Sequence, residues 1–186
     1  MRYETFDPKI HDVSKVAKLV YDVDFRTFDI LFKDSGKAIE AISNDLRRNE
    51  IGYYFKIILD DKDNILGILK AYTYKTHHKF QFKSIKLIIV DILDHFVLCD
   101  IKEGDFYISE IAIDESLRGQ GLGKKVMSDA IDYAKSKNYK RIILDADFRN
   151  NGAKSLYEEL GFRVFDKKSL KLGGFERGMY NMELIL

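Results

Sequence analysis

The sequence predicts an α/β (α+β) fold in which a mixed, mostly antiparallel sheet of about seven strands has helices on both faces. The chain has 186 residues, of which 46% are hydrophobic and 33% charged, as in proteins that fold around a core. Helical spacing of apolar residues marks the first part of the chain, and two β-rich runs follow it. From residue 105 onwards, strand and helix patterns alternate. No repeat or linker divides the sequence, so we expect one domain over residues 1–186.

The N-terminal part predicts a strand, two helices and a hairpin. Tyr3 and Thr5 begin the strand. Apolar residues then recur at spacings of three and four, first at Val13, Val16, Ala17 and Val20 and again at Ala38, Ile39, Ile42 and Leu46. The runs 51–59 and 65–74 are rich in β-branched and aromatic residues, and the polar segment 60–64 between them predicts a turn.

The segment 79–98 predicts an amphipathic helix inserted before the central strand. Its apolar stripe consists of Phe82, Ile85, Ile89, Ile92 and Phe96. Other apolar residues lie off this stripe, namely Leu87, Ile88, Leu93 and Val97. A helix that is apolar on two sides must bury both, so we expect one face to pack on the sheet. The second face would meet another subunit, forming a homodimer, or would cover the acceptor site as a lid.

The C-terminal part predicts the alternating segments. The strand 106–113 is followed by a glycine-rich loop and by a helix that carries Leu122, Val126, Ala130 and Ala134. The strand 141–146 leads to a helix that carries Ala153, Leu156, Tyr157 and Leu160 and that ends at Gly161 as a left-handed cap. Two strands, near 162–166 and 177–186, complete the sheet.

Composition excludes several classes of function. The 31 basic and 30 acidic residues give a net charge of +1, so no overall field attracts nucleic acid or an anionic membrane. A membrane helix needs roughly 20 mainly apolar residues, and charges at Lys86, Asp91 and Asp94 interrupt the longest apolar run. The single cysteine, Cys99, forms no intramolecular disulfide, and the N-terminus shows no secretory signal. We therefore expect a cytoplasmic protein with no nucleic-acid or membrane partner.

The loop 118–125, with the sequence RGQGLGKK, predicts a phosphate site. Its three glycines permit a positive φ and leave the backbone amides open to a ligand. The positive end of the following helix favours an anion, and Arg118 and Lys124 add charge. The loop is not a P-loop, because Arg118 stands where the first glycine belongs and Lys125 replaces the hydroxyl residue. It also lacks the Gly-x-Gly-x-x-Gly spacing of a dinucleotide fold.

A second motif begins at Asn150 and reads Asn-x-x-Ala-x-x-Leu-Tyr-x-x-x-Gly-Phe. Asn150, Ala153, Leu156, Tyr157, Gly161 and Phe162 match it without a gap. Together with the Arg-x-x-Gly-x-Gly of Arg118, Gly121 and Gly123, this pair resembles the signature of the GNAT superfamily of N-acetyltransferases, with the cofactor-binding core at 105–165. The spacing of Asp145 and Asn150 is similar to that in ribosomal-protein N-terminal acetyltransferases.

This resemblance implies that the chain is an enzyme that moves an acetyl group from acetyl-coenzyme A to a primary amine of a small molecule or a protein. It also implies that the cofactor contacts two stretches of main chain and one helix, at Ile111, Ala112, Ile113, Arg118, Gly119, Gln120, Gly121, Leu122, Gly123, Lys124, Asn150, Ala153 and Tyr157. A main-chain amide near Ile111 would stabilise the oxyanion. The alternative is a non-catalytic acyl-coenzyme A sensor, which would need the same loop but no acid.

Three side chains are candidates for the proton transfers. Tyr157 is the candidate acid, because a phenol of pKa about 10 can protonate a departing thiolate. A core aromatic is the alternative for Tyr157, and an N-cap is the alternative for Asn150. The candidate base is Asp145 or Glu110, or else an ordered water. Without a catalytic role, Asp145 would pair with a lysine and Glu110 would be a solvated strand residue.

Metal chemistry and a cysteine nucleophile have little support in the sequence. His77 and His78 are adjacent, but no second ligand cluster stands at the spacing of a metal site. No His/Asp grouping typical of a nucleophilic site surrounds Cys99 in the sequence, so we expect a buried structural cysteine. The sequence contains no motif that identifies the acceptor amine.

Overall fold

The computed structural model describes residues 1–48, 54–76, 85–172 and 175–186. Within these ranges it contains seven strands and six α-helices. In chain order they are β1 (Arg2–Thr5), α1 (Val13–Val23), α2 (Phe25–Phe32), α3 (Ser35–Arg48), β2 (Tyr54–Leu59), β3 (Ile65–Thr73), α4 (Ile85–His95), β4 (Asp105–Ile113), α5 (Leu122–Ser136), β5 (Arg141–Asp147), α6 (Asn151–Glu159), β6 (Arg163–Leu172) and β7 (Phe175–Ile185).

The strands form one sheet in the order β1-β2-β3-β4-β5-β7-β6. The pairs β1/β2, β2/β3, β5/β7 and β6/β7 are antiparallel, and β4/β5 is parallel. The strand count and the mostly antiparallel pairing confirm the predicted fold class. The contacts group the described residues into a first unit (1–71, 85–91 and 110–123) and a second unit (72–76, 92–109 and 124–186). That one domain covers residues 1–186 stays a prediction.

The core of the first unit packs helices α1 to α3 on the hairpin β2–β3. Asp12 begins α1 as its N-cap, and its Oδ1 accepts from the amide of Ser14 at 2.9 Å. Tyr21 of α1 donates its hydroxyl to Asp29 at 2.6 Å, which ties α1 to α2. The sequence did not predict α2, because eight residues hold only two turns of helical pattern. Its buried residues are Thr27, Phe28 and Phe32.

The hairpin β2–β3 has the turn that the polar segment 60–64 predicts. The amide of Asp60 donates to the carbonyl of Asn64 at 3.1 Å, and Asp63 has a φ of 65°. The predicted strand residues 51–53 lie outside the described residues. Further along β3, a Cβ on Gly67 would lie 2.4 Å from the carbonyl oxygen of Ala112. Glycine at this position therefore lets β3 lie close to the end of β4.

The second unit is built around the parallel pair β4/β5. At its start, Arg141 binds both oxygens of Asp105 at 2.8 and 2.9 Å and also binds Glu183 at 2.7 Å. The two carboxylates are buried and each is paired with the partly buried Arg141, as the low dielectric of the interior requires. Side chains alternate along β4, so Phe106 packs on the rings of Tyr133 and Tyr139, whereas Tyr107 lies on the opposite face.

Strand β6 is longer than the sequence predicts, and helix α4 ends earlier than predicted. Strand β6 continues to Leu172, beyond the predicted end at residue 166. The sequence did not predict this extension, because β6 is an edge strand and its charged residues look like those of a loop. The predicted helix over 79–98 ends at His95. Beyond it, the carbonyl of Val97 accepts from Asn181 at 3.0 Å and that of Leu98 from Lys168 at 2.9 Å, so side chains of the hairpin β6–β7 bind these carbonyls. The predicted residues 79–84, including Phe82, lie outside the described residues.

Helix α4 buries a different face from the one that carries the predicted stripe. Leu87 and Val90 belong to the core of the first unit. The exposed apolar residues are Ile85, Ile88, Ile89, Ile92 and Phe96. No helix in the described part of the chain is long and apolar enough to cross a membrane. The exposed stripe is a surface on which another subunit could bind, and the homodimer stays a prediction.

We predict that the double substitution Ile89→Asp, Ile92→Asp on this stripe dissociates the homodimer, because charge placed in a buried apolar contact is costly. Leu93 is partly buried, so it is a poorer site for this test. Sedimentation velocity of native and variant chains measures the effect. The matched control is Ile10→Asp, Ile30→Asp, at positions 71% and 53% exposed on the first unit. A native chain that stays monomeric at high micromolar concentration would contradict the homodimer. The alternative in which the helix covers the acceptor site would then remain.

Candidate active site

The segment after β4 is a tight turn that depends on two glycines. A short 3₁₀ turn over Glu115–Leu117 comes first, and the side chain of Asp114 caps it by accepting from the amide of Ser116 at 3.1 Å. Gly119 and Gly121 then have φ values of 77° and 79°. Other residues rarely adopt this left-handed conformation, which costs them roughly 1–2 kcal/mol. Helix α5 begins at the next residue, Leu122.

The amides of this turn are available to a ligand. Among the described residues, those of Gly119, Gln120 and Gly121 donate to no protein acceptor. The first amides of an α-helix likewise have no partner within the helix, and they carry its positive end. A Cβ built on Gly119 or Gly121 would meet no atom within 4 Å, so the turn is open to solvent. Successive amides in such a turn form a concave anion site, as the sequence predicts.

Basic side chains flank the turn. Arg118 is exposed and donates from Nε to the carbonyl of Ile113 at 3.3 Å, which holds the side chain against the end of β4. In the second unit, Lys124 pairs with Glu159 at 3.1 Å, and both side chains are more than half exposed. An exposed pair of this kind contributes little to stability, so Lys124 can exchange this partner for an anionic ligand at small cost.

Asn150 caps α6, as one of its two interpretations predicts. Its Oδ1 accepts from the amide of Ala153 at 3.0 Å, and its own amide donates to the carbonyl of Asp147 at 2.8 Å. The helix ends at Glu159, and Gly161 follows with a φ of 92°, which confirms the predicted left-handed cap. The motif that runs from Asn150 to Phe162 therefore also contains the residues that begin and end α6.

Tyr157 lies on the buried side of α6. Its ring is 7% exposed and packs on Phe162 at a centroid distance of 6.0 Å. Among the described residues, no protein group forms a hydrogen bond with its hydroxyl. Burial raises the pKa of Tyr157 to about 12, because the phenolate would lose its hydration. The side chain is therefore a protonated donor with its hydrogen unused, so the core and acid interpretations are compatible.

Asp145 is the centre of a hydrogen-bond cluster in the second unit. Its Oδ2 accepts from the amide of Cys99 at 3.1 Å and from the hydroxyl of Tyr107 at 2.8 Å. Its Oδ1 accepts from the thiol of Cys99 at 3.1 Å and from the amide group of Asn181. Burial raises the pKa of Asp145 even though these donors favour the carboxylate. Among the described lysines none binds Asp145, and four donors already use the lone pairs that a base would need.

Glu110 has a different environment in the first unit. Its Oε1 accepts from Lys70 of β3 at 2.8 Å, and its Oε2 is buried and has no hydrogen-bond partner among the described residues. The Lys70 and Glu110 side chains are 13% and 20% exposed, so this ion pair is shielded from water. Glu110 is thus neither a solvated strand residue nor fully satisfied, and one oxygen can accept a proton.

Sequence reasoning missed Lys70, Tyr107 and Asn181, which hold the two carboxylates. Lys70 is a charged residue between the buried Leu69 and Ala71 of β3, and that is the signal that could have identified it. Tyr107 and Asn181 lie in strands that carry other polar residues, so the sequence gives no such signal for them. Cys99 is buried, as expected. His77 and His78 lie outside the described residues. Elsewhere in the described ranges, no group of three or more His, Cys, Asp or Glu side chains could hold a metal ion.

Comparison with known proteins is consistent with these features. The sequence model of the acetyltransferase (GNAT) family matches residues 18–162. N-alpha-acetyltransferase 30 of Schizosaccharomyces pombe is 38% identical over 97 residues, which cover 50% of this chain and 64% of that protein. Glucosamine 6-phosphate N-acetyltransferase of Trypanosoma brucei brucei is 38% identical over 64 residues, or 33% of this chain and 40% of that protein. The matches thus span less than two thirds of these relatives.

A solved structure extends the likeness to the whole fold. The acetyltransferase of Bacillus subtilis in complex with CoA superposes with a TM-score of 0.60. The superposition covers 100% of this chain and 98% of the other, at 18% sequence identity. At this identity the likeness concerns the arrangement of strands and helices and not the individual side chains.

We predict that Asp145→Asn lowers the free energy of unfolding by about 1–3 kcal/mol, because the amide nitrogen cannot accept from the donors that now bind that oxygen. Urea denaturation followed by circular dichroism measures this change. The matched control is Asp61→Asn, at a side chain that is 98% exposed, and it should shift stability by less than about 0.5 kcal/mol. Equal stability of the two variants would contradict a structural role for Asp145.

Proposed function

Because the chain belongs to the acetyltransferase (GNAT) family, we propose that it transfers an acetyl group from acetyl-coenzyme A to a primary amine. The observation that carries this proposal is the turn at Gly119 and Gly121, whose amides donate to no acceptor in the described ranges and lead into the N-terminus of α5. The bound CoA of the structurally similar Bacillus subtilis acetyltransferase supports the same ligand class. The acceptor is an amine of a small molecule or of a protein.

The proposed binding of acetyl-coenzyme A uses main chain more than side chains. The amides from Gly119 to Lys124 would bind the pyrophosphate. Those of Gly119 to Gly121 donate to no described acceptor, and the next three are the first amides of α5, at its positive end. Arg118 and Lys124 would add charge that the neutral chain lacks overall. Main-chain groups of Ile111 and Ile113, on either side of Ala112, would bind the amides of the pantetheine arm. Asn150 and Ala153 would contact the same arm.

Tyr157 is the proposed general acid. The departing thiolate has a conjugate acid of pKa about 8.5, well below the pKa of the buried phenol. Proton transfer from the phenol to this thiolate is therefore uphill by itself. It is offset because Tyr157 regains a proton from the attacking nitrogen in the same reaction. Among the described residues, no protein group forms a hydrogen bond with this hydroxyl, so its proton is available for the step.

Glu110 is the proposed general base. An amine enters mostly as its ammonium ion, and it must lose one proton before it can attack the thioester. Oε2 of Glu110 can accept that proton, because it is buried and has no partner among the described residues. Asp145, the other candidate, would first have to release one of its four donors.

The proton balance of the proposed reaction closes with these two groups. The ammonium ion gives one proton to Glu110, which passes it to solvent. The neutral amine then forms the C–N bond to the acetyl carbon, the C–S bond breaks, and Tyr157 protonates the thiolate sulfur. The nitrogen's second excess proton restores Tyr157. One amide, one free thiol and one proton to solvent result, so no oxidant, metal or further co-reactant is needed.

We predict that Gly121→Ala weakens acetyl-coenzyme A binding at least tenfold, or about 1.4 kcal/mol. Alanine is strained at the φ of 79°, so the turn should relax and its amides should no longer converge. Isothermal titration calorimetry measures the affinity. The matched control is Gly104→Ala, which is equally strained at a φ of 92° but meets only the flexible side chain of Lys140. An unchanged affinity in a folded Gly121→Ala chain would overturn the cofactor assignment.

We predict that the native chain releases thiol from acetyl-coenzyme A when it is given a suitable amine. A panel of three amines samples the acceptor chemistries: a peptide with a free α-amino group, glucosamine 6-phosphate and spermidine. Tyr157→Phe should lower turnover about 10²–10⁴-fold and leave acetyl-coenzyme A affinity unchanged, since only the proton is lost.

The control for this experiment is Tyr139→Phe, a tyrosine that packs on Phe106 in the same unit. It should keep the native rate. Binding of acetyl-coenzyme A without thiol release for any amine would favour a sensor over an enzyme. A Tyr157→Phe variant with full turnover would show that Tyr157 is only a packing residue.

A further inference from the structure

We propose that Lys70 of β3 is a positioning residue that holds Glu110 ready to accept the proton of the acceptor amine. This inference rests on the proposed acetyltransferase function and on Glu110 as its base. Nothing in the two sequence motifs points to Lys70, because β3 lies outside both. The inference comes from the contacts that the two side chains make in the first unit.

The contact between the two side chains is one-sided. Lys70 Nζ donates to Oε1 of Glu110 at 2.8 Å, whereas Oε2 accepts from no group among the described residues although it is buried. A buried carboxylate oxygen without a hydrogen-bond donor destabilises the folded chain. A structural ion pair would be expected to satisfy both oxygens. The pair is therefore arranged as if Oε2 were reserved for a ligand.

The strand around Lys70 is built to bring its amine to Glu110. Its neighbours Leu69 and Ala71 are buried, so a lysine here lies within an apolar strand. Lys70 is the cross-strand partner of Phe55, and its Nζ lies 5.6 Å from the centre of that ring. Gly67 allows β3 to approach the end of β4, as the contact with Ala112 shows. A lysine can thus reach the β4 carboxylate without leaving the sheet.

A lysine in this position affects the reaction in two ways. The hydrogen bond to Oε1 fixes the rotamer of Glu110, so the lone pairs of Oε2 keep one direction. The positive charge of Lys70 also opposes a second positive charge nearby, which makes the bound ammonium ion a stronger acid. Both effects act only through the base and the incoming amine, and neither involves acetyl-coenzyme A.

The test is a double-mutant cycle of Lys70→Met and Glu110→Gln, measured as kcat and KM with the fastest amine of the panel. We expect Lys70→Met to lower kcat at least tenfold with little change in the KM for acetyl-coenzyme A. Lys70→Arg, which keeps the charge and the donor, should have a kcat within about threefold of the native value. In the Glu110→Gln background, Lys70→Met should have no further effect, because its partner in the reaction is gone.

Two controls separate this role from a structural one. Lys56→Met, on the neighbouring strand β2, removes a lysine that donates to Thr5 at 2.7 Å, and it should keep the native kcat. Thermal unfolding of every variant reports folding. If Lys70→Met fails to fold, the Lys70→Met, Glu110→Gln chain and the Lys70→Arg chain still supply the comparison, since the first has no unpaired carboxylate and the second keeps the pair.

The outcomes distinguish this inference from the function on which it rests. Independent effects, with the two single-variant losses multiplying in the double variant, overturn the positioning role while the acetyltransferase stands. Full activity of Glu110→Gln overturns Glu110 as base, and the role of Lys70 with it. If no amine of the panel yields thiol, the proposed function itself is contradicted. Rescue by arginine together with a vanishing effect in the Glu110→Gln background supports the proposal.

Discussion

The backbone conformation of two residues, Gly119 and Gly121, constrains everything that follows β4. Both have a positive φ, and this conformation turns the chain from the end of a strand into the start of α5. The same conformation leaves the three consecutive amides of residues 119–121 without an acceptor among the residues that the structure describes. Both the fold and the proposed ligand binding therefore require a positive φ at these two glycines. A side chain at either glycine would find empty space, so the requirement comes from backbone torsion and not from crowding.

Two carboxylates on adjacent strands show how environment separates residues of one chemical type. Asp145 of β5 accepts from four donors, two on Cys99, one on β4 and one on β7. These bonds connect β5 to β4, to β7 and to the segment that follows α4. Within the described part of the chain, Glu110 has one donor, and its other oxygen has no hydrogen-bond partner. The family spacing favours Asp145 as the base, whereas hydrogen-bond geometry favours Glu110. Counting the lone pairs that remain free is a more direct criterion than motif spacing, because a base must have one.

Much of the fold could be predicted from sequence because it depends on local patterns. The hairpin turn at 60–64 and the left-handed Gly161 are properties of a few adjacent residues, and both are present. The end of α4 was not predictable, since the carbonyls of Val97 and Leu98 are bound by side chains from β6 and β7, far along the chain. The same holds for the partners of the candidate bases. Pairs such as Lys70 and Glu110 exist only once β3 lies beside β4, and no single stretch of sequence contains that information.

The position of the one cysteine has a practical consequence for observing this protein. The thiol of Cys99 is buried and donates to the Asp145 carboxylate, and burial raises its pKa well above the usual range. Thiolate is the reactive form, so this sulfur is inert towards thiol-directed dyes while the chain is folded. Such a dye will therefore detect the free coenzyme A thiol without a signal from the folded protein. The same dye, used without any substrate, becomes a reporter of unfolding, since Cys99 reacts only after its surroundings open.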